Sequence, residues 1–371
     1  MGVRWTYLSR TDSTDLPANS QQGNASSDHL PVAPMTRIGI LVNPSAARDI
    51  RRLVARASSL SITDRCAMVR RMLVGMGAMG VEQVLMMFDQ AGIAGGITYE
   101  LEGTIKSDEL RLPEVQFLKM PVDGVPGDTL LAVRQMRASG VQAIVVLGGD
   151  GTHRLVAHEC GSIPLVCVST GTNNAFPQHY EATIVGLAAG AIAMGGVSVE
   201  TACRRSKRLA CAIDGAPQIP ALVDICITTE QWIGARALWR PEHLQQLFLT
   251  FAEPGAIGLS AIGSLIQPVP RWEDAGLWVE FDAKADRSIH VPMAPGLMRR
   301  VGIRDFRKIS VGQKCVVTAL DGTIAFDGEK EVEFSTSDRV EITLLQDGPW
   351  IVDVPTVMER IGEIGLLAVG Q

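Results

Sequence analysis

The sequence predicts an α/β N-terminal lobe with a Rossmann-like parallel sheet, followed by a β-rich C-terminal lobe. Two features of its 371 residues lead there. Between 37 and 196, near-continuous apolar runs alternate with segments of helical period, as expected of strands covered on both faces by crossover helices. Beyond Gly195-Gly196 the texture changes to short strand-like runs bounded by turn residues. The length suits two lobes with a core each, and 46% hydrophobic with 5% aromatic residues is ordinary globular composition.

In chain order, Arg37-Ile38-Gly39-Ile40-Leu41-Val42 predicts the first strand, opening into Asn43-Pro44-Ser45. Residues 64–74 predict a helix and 81–87 a strand. Between them Gly75-Met76-Gly77-Ala78-Met79-Gly80 satisfies Gly-x-Gly-x-x-Gly. The dinucleotide fingerprint needs a strand before it and a helix after it, and here the order is inverted, so these are helix-end glycines. Residues 129–139 carry Leu130, Val133 and Met136 at helical spacing, with Asp128 as N-cap and Gly140 closing the helix. Strands follow over 141–147 and 164–168, then a helix over 182–194 that ends at the expected lobe boundary. The second lobe, 197–350, is expected to hold strands over 208–213, 221–228, 277–281, 309–319 and 340–345, interrupted by one amphipathic helix over 241–251. Residues 351–371 are expected to pack back on the first lobe. Residues 1–36 are polar, too poor in apolar surface to offset the cost of ordering, and are expected to form a disordered extension. They contain no apolar core of a signal peptide.

The most informative run is Val145-Val146-Leu147-Gly148-Gly149-Asp150-Gly151-Thr152, a strand emptying into Gly-Gly-Asp-Gly-Thr. Gly148, Gly149 and Gly151 let the backbone turn sharply and approach a ligand. Successive amides in such a turn form an anion-binding concavity, to which the Thr152 hydroxyl adds, and a helix beginning near Thr152 points its positive end the same way. An aspartate inside a phosphate cradle is expected to handle a metal or a proton; the other reading is a glycine-rich strand-to-helix turn with a solvated Asp150. One strand later, Ser169-Thr170-Gly171-Thr172-Asn173-Asn174-Ala175-Phe176-Pro177 opens on the same sheet edge, where ligands of open α/β sheets bind. Downstream, Ile324-Ala325-Phe326-Asp327-Gly328-Glu329 offers two carboxylates around a glycine. Asp-Gly is equally the favoured two-residue hairpin turn, with Glu331, Glu333 and Ser335 marking an exposed following strand.

Strand-Asn-Pro, then Gly-Gly-Asp-Gly-Thr, then Gly-Thr-x-Asn-x-Phe resembles the superfamily of NAD kinases, diacylglycerol kinases and sphingosine kinases. The runs 146–154 and 169–177, with Glu181-Ala182-Thr183, Gly186-Leu187-Ala188-Ala189-Gly190 and Gly234-Ala235-Arg236-Ala237-Leu238-Trp239, are most similar to the acetoin-catabolism protein X group, which is NAD kinase-like. The resemblance runs from about residue 37 to the C-terminus and implies the NAD kinase/lipid kinase-like fold, ATP as donor, Mg²⁺, and a hydroxyl acceptor. It places Asn43, Gly148, Gly149, Gly151, Thr152, Thr170, Gly171, Thr172, Asn173 and Asn174 around the nucleotide. Asp150 is the first candidate for metal handling or proton acceptance, and Asp327 and Glu329 are the second. Arg236 is a candidate anion contact, and a structural ion pair is its other reading. NAD kinases carry an Asn-Glu pair for the substrate's adenine; this chain has no Asn-Glu dipeptide. NAD, a lipid hydroxyl, or binding without transfer in a nucleotide sensor therefore all stay open.

A net charge of −6 and the lack of a basic stripe give no reason to expect a nucleic-acid partner. No Gly-x-x-x-x-Gly-Lys-Ser/Thr occurs, which excludes an ordinary P-loop kinase. Seven cysteines without a Cys-x-x-Cys pair are expected to be small buried hydrophobes in a reducing cytoplasm. The uncharged run 182–199 is a buried helix plus a turn rather than a membrane span, being short and broken by Gly195-Gly196. His153 and His158, five apart, do not share a helical face. The basic run Arg204, Arg205, Lys207, Arg208 is expected to be an exposed strand entry, with contact to a substrate phosphate as its other reading. A small-molecule substrate is the expected partner, and a homo-oligomer is left open.

Overall fold

The computed structural model describes residues 35–44, 60–102, 111–171, 173–218, 220–230, 238, 240–319 and 321–368. The expectation for 1–36 therefore lies outside the described residues except at Met35 and Thr36, and those for Ser45, Thr172 and Arg236 lie wholly outside them.

The first lobe alternates β1 (Arg37–Val42), α1 (Ile62–Ala78), β2 (Gln83–Met87), α2 (Ile93–Glu102), β3 (Glu114–Leu118), α3 (Pro126–Ala138), β4 (Ala143–Gly148), α4 (Asp150–Glu159), β5 (Leu165–Ser169) and α5 (Ala182–Ala193). A short helix α6 (Val199–Ala202) leads to β6 (Cys203–Arg205). The second lobe follows with β7 (Arg208–Ile213), β8 (Ala216–Pro217), β9 (Asp224–Thr228), β10 (Leu244–Leu249), α7 (Leu259–Ile266), β11 (Ala275–Phe281), β12 (Ser288–Ala294), β13 (Leu297–Ser310), β14 (Lys314–Val316), β15 (Gly322–Phe326), β16 (Glu329–Phe334) and β17 (Val340–Leu345). The chain then returns through β18 (Trp350–Val352) and ends in α8 (Val354–Glu363).

Strands of the first sheet are ordered β3-β2-β1-β4-β5-β18-β6, parallel from β3 to β18, with β6 antiparallel. β4 and β5 are buried at every position, which is why they read as unbroken apolar runs. One face packs on α1, α5 and α8 through Met72, Leu73, Met76, Val185, Ala189, Val357 and Ile361. The other packs on α3 and α4 and reaches Leu222, Val223 and Phe251 of the second lobe. α1 and α5 touch backbone to backbone: a Cβ on Gly75 would stand 2.4 Å from the Thr183 carbonyl oxygen, and one on Gly186 2.1 Å from that of Met72. Gly75 of the rejected fingerprint thus serves helix packing.

The second lobe stacks a seven-stranded antiparallel sheet, β12-β13-β11-β10-β9-β15-β16, on a four-stranded one, β14-β17-β7-β8. Phe248, Trp278, Ile324 and Ile342 fill the space between them, and α7 covers the other face over Leu247, Leu249 and Leu277. The expected helix over 241–251 is a single 3₁₀ turn, Pro241–His243, followed by β10. β10 lies mid-sheet with both faces covered, so Leu244, Leu247 and Phe248 imitate a helical stripe. The expected strand over 309–319 begins instead at Leu297, runs to Ser310, and resumes only at Lys314. Its Arg299, Arg300, Arg304, Arg307 and Lys308 concealed it. Asp128 is not an N-cap but the third residue of α3, and its carboxylate accepts the amides of Asp123, Gly124 and Val125. All seven cysteines are buried and unpaired.

Candidate active site

β4 ends at Gly148, Gly149 caps α4, and the helix starts at Asp150, two residues before the expected Thr152. The glycines are fixed by close approach. A Cβ on Gly148 would lie 2.7 Å from Thr152, and one on Gly149 3.0 Å from Asn174 Oδ1. Asn43, at the end of β1, donates from Nδ2 to Thr152 Oγ1 at 2.8 Å and so fastens the neighbouring strand exit to this turn.

The second loop is bound to the first through Asp150. Ala175 N–H donates to both Asp150 oxygens at 3.1 Å, and Phe176 N–H to Oδ1 at 2.8 Å. Asn174 Nδ2 donates to Ser169 Oγ at 2.9 Å, and Thr170 N–H reaches Gly148 O at 3.4 Å. A Cβ on Gly171 would meet Asn174 Nδ2 at 2.8 Å. Asn173 lies against Gly258 of the second lobe, 3.4 Å from that glycine's Cβ position. Thr170 is buried, and its Oγ1 has no hydrogen-bond partner among the described residues.

From the second lobe, the turn between β15 and β16 enters the same space. Asp327 and Gly328 have φ of 49° and 79°, the left-handed pair of a type I′ hairpin turn. The Asp327 carboxylate accepts the amides of Leu222, Val223 and Asp224 at 2.8–3.2 Å. Arg154, one helical turn beyond Asp150, lies 3.7 Å from it. Burial pushes the Asp327 carboxyl up to about 7, against the Arg154 guanidinium and the Val223 and Leu222 amides, which pull it down. Next along the turn, Glu329 Oε1 stands 3.9 Å from the Cβ position of Gly151. The structure therefore brings Asp150, Glu329 and the glycine turn together, while Asp327 is spent on backbone amides.

His153 is fully buried, its Nδ1 2.8 Å from Gly149 O and its ring 6.0 Å from that of Phe176. Burial lowers its pKa to about 4, so the ring is neutral and Nδ1 donates to that carbonyl. The basic run is not uniformly exposed. Lys207 is buried, donating to the carbonyls of Pro270, Glu273 and Ala275, while Arg204 and Arg205 stack on Trp272 and Trp350. Arg271 and Arg154 were missed in the sequence. Arg154 had a signal, four residues beyond Asp150 on one helical face; Arg271 had none.

A nucleotide with Mg²⁺ fits this donor set in one way. Among the described residues no group of three or more His, Cys, Asp or Glu side chains could hold a metal ion. Mg²⁺ commonly binds through one or two carboxylates together with substrate phosphates, and the glycine turn at a helix N-terminus is shaped for phosphate. Asp150 is the carboxylate that could hold it, and the unpartnered Thr170 hydroxyl is a polar group left for a ligand.

Residues 38–196, which hold the parallel sheet and this strand-to-helix turn, match the ATP-NAD kinase N-terminal domain family. Residues 207–347 match the acetoin catabolism protein X C-terminal domain. Acetoin catabolism protein X of Cupriavidus necator is 41% identical over 351 residues, covering 93% of this chain and 97% of that protein. The chain belongs to the acetoin catabolism protein X family. A crystal structure of a candidate diacylglycerol kinase from Bacillus anthracis superposes with a TM-score of 0.42 at 13% identity, covering 86% of this chain and 98% of that one. Among the described residues, no helix is long and apolar enough to cross a membrane.

Proposed function

We propose that this protein transfers a phosphoryl group from ATP to a hydroxyl acceptor, in the manner of an NAD kinase, in the cytoplasm. The first lobe holds the nucleotide and the second the acceptor; the boundary expected at 196/197 falls instead after β6, because Cys203–Arg205 pair with β18 in the first sheet. The observation that carries this reading is the approach of Glu329, on a second-lobe hairpin, to Gly151 in the glycine turn of the first. The turn and the α4 N-terminus receive the phosphates, and Mg²⁺ held through Asp150 supplies charge neutralisation. Glu329 takes the proton of the acceptor hydroxyl as its oxygen attacks the γ-phosphorus and ADP leaves. Positioning and charge stabilisation account for most of the rate in such transfers.

One observation favours a second reading, nucleotide binding without transfer. The carboxylates of Asp150 and Asp327 both accept backbone amides, a structural use that a sensor would retain. ATP consumption measured against NAD, NADH, diacylglycerol and small polyols, beside thermal melts with ATP and Mg²⁺, separates the two. Turnover of any acceptor supports the kinase. A melting shift with no turnover supports the sensor, and no shift at millimolar nucleotide removes both.

A further inference from the structure

The peptide unit between Ala175 and Phe176 carries a charged partner at each end. Its N–H donates to Asp150 Oδ1 at 2.8 Å, and its carbonyl accepts from Arg271 Nη2 at 2.8 Å. The adjoining groups repeat the pattern: Ala175 N–H points to the same carboxylate, and the Phe176 carbonyl accepts from Arg271 Nη1 at 2.7 Å. A cation on C=O and an anion on N–H polarise one amide in the same sense, so each hydrogen bond strengthens the other.

Arg271 belongs to the second lobe and is itself held firmly. Its side chain is 7% exposed, lies 4.2 Å from the Phe251 ring centroid, and pairs with Glu253 at 3.2 Å. Lys207 fastens the surrounding segment through the carbonyls of Pro270, Glu273 and Ala275. A guanidinium suits this place because its planar fork meets two neighbouring carbonyls through Nη1 and Nη2 while also pairing with Glu253.

We infer that Arg271 is the positioning residue for Asp150, fixing the orientation of that carboxylate from the opposite lobe through the Ala175–Phe176 peptide. Its effect on nucleotide binding rests on the phosphoryl-transfer reading; its effect on the Asp150 loop does not. Docking of the two lobes and alignment of Asp150 then become one event.

The test compares Arg271→Ala, Arg271→Lys, Asp150→Asn and the Arg271→Ala/Asp150→Asn double variant by hydrogen exchange at the Ala175 and Phe176 amides, without ligand. Arg271→Ala should speed exchange at these two amides about tenfold beyond any change at Val145 and Val166 in the sheet, the scale of a lost charge-assisted bond. The double variant should add little to either single change. Added methylguanidinium should restore protection to Arg271→Ala. ATP affinity in the presence of Mg²⁺ should fall about tenfold, and affinity without Mg²⁺ should hold. Exchange that rises only in step with the sheet, or effects that add fully in the double variant, would overturn the inference. If Arg271→Ala does not fold, Arg271→Lys, which keeps the charge but loses the planar fork with its Nη1 and Nη2 donors, should show an intermediate effect; unchanged exchange there is equally fatal. If the unsubstituted protein binds no ATP, the phosphoryl-transfer reading falls while the exchange result still decides the role of Arg271.

Discussion

Arg154 on α4 of the first lobe and Asp327 in the β15–β16 turn of the second lie 3.7 Å apart, both side chains buried. Desolvating two charges offsets much of their attraction, but removing one partner leaves the other stranded. Arg154→Met should destabilise the protein by roughly 3 kcal/mol at pH 8, and by less at pH 5.5, where Asp327 is protonated. Urea unfolding at the two pH values checks this, and equal losses would contradict it.

Asp327 also sets a pH dependence. Its folded pKa, about 7, lies above the ordinary value of 3.8. Its contribution is therefore fully present below about pH 4 and is lost as pH rises through 7, an effect of at most roughly 4 kcal/mol. Asp327→Asn, which cannot ionise, should gain on the unsubstituted protein between pH 4 and 8. A constant difference over that window would show that the carboxyl is already ionised at pH 4.

His153 acts with the opposite sign. Its folded pKa, about 4, lies below the ordinary 6.5, so its contribution is present above 6.5 and lost as pH falls through 4. His153→Asn, whose amide can still donate to Gly149 O, should lack this acid-side loss, worth at most roughly 3 kcal/mol. Because the two residues work against each other over one window, melts of the unsubstituted protein alone will not separate them; the paired variants will.

Turnover variants distinguish the two candidate carboxylates once an acceptor is found. Glu329→Gln should lower kcat by roughly two orders of magnitude, the scale of a lost general base, with little change in ATP affinity. Asp150→Asn should weaken Mg²⁺-dependent ATP binding as well. If Glu329→Gln turns over at the unsubstituted rate, the proton goes elsewhere.

The parallel sheet, the glycine turn and Asp150 were legible in the sequence because each is local: an apolar run, three glycines, one carboxylate, all within ten residues. Asp327-Gly328 was legible as a hairpin turn for the same reason. β10 was misjudged because apolar residues on both faces erase the period-two signal, and β13, paired on both sides, was missed because exposed basic residues interrupt its few buried apolar ones. Arg271 and Lys207 bind carbonyls of segments far away in sequence, so no spacing could announce them. Glu329 was named, but its approach to Gly151 depends on how the two lobes meet.

The α1–α5 contact makes a sharp prediction. Gly186→Ala places a methyl 2.1 Å from a backbone oxygen, and Gly75→Ala one at 2.4 Å, with no flexible side chain to yield. Each should cost about 1–3 kcal/mol by overpacking. Gly95→Ala, on α2 with nothing within 4 Å of the added carbon, is the control and should be neutral or slightly stabilising.

The chain passes between the lobes twice, and the two passages are bonded to each other: Ser206 N–H to Pro349 O, Gly348 N–H to Ser206 O, and Trp350 registered with Arg205. Topologically, the second lobe is an insertion into the first, whose sheet gains β18 and whose core gains α8 only after the second lobe has been made. Domains emerging from the ribosome usually mature in order from the N-terminus. Here the first lobe begins before the second and is completed after it, so a chain stopped short of residue 350 would leave β5 as an open edge beside the candidate site.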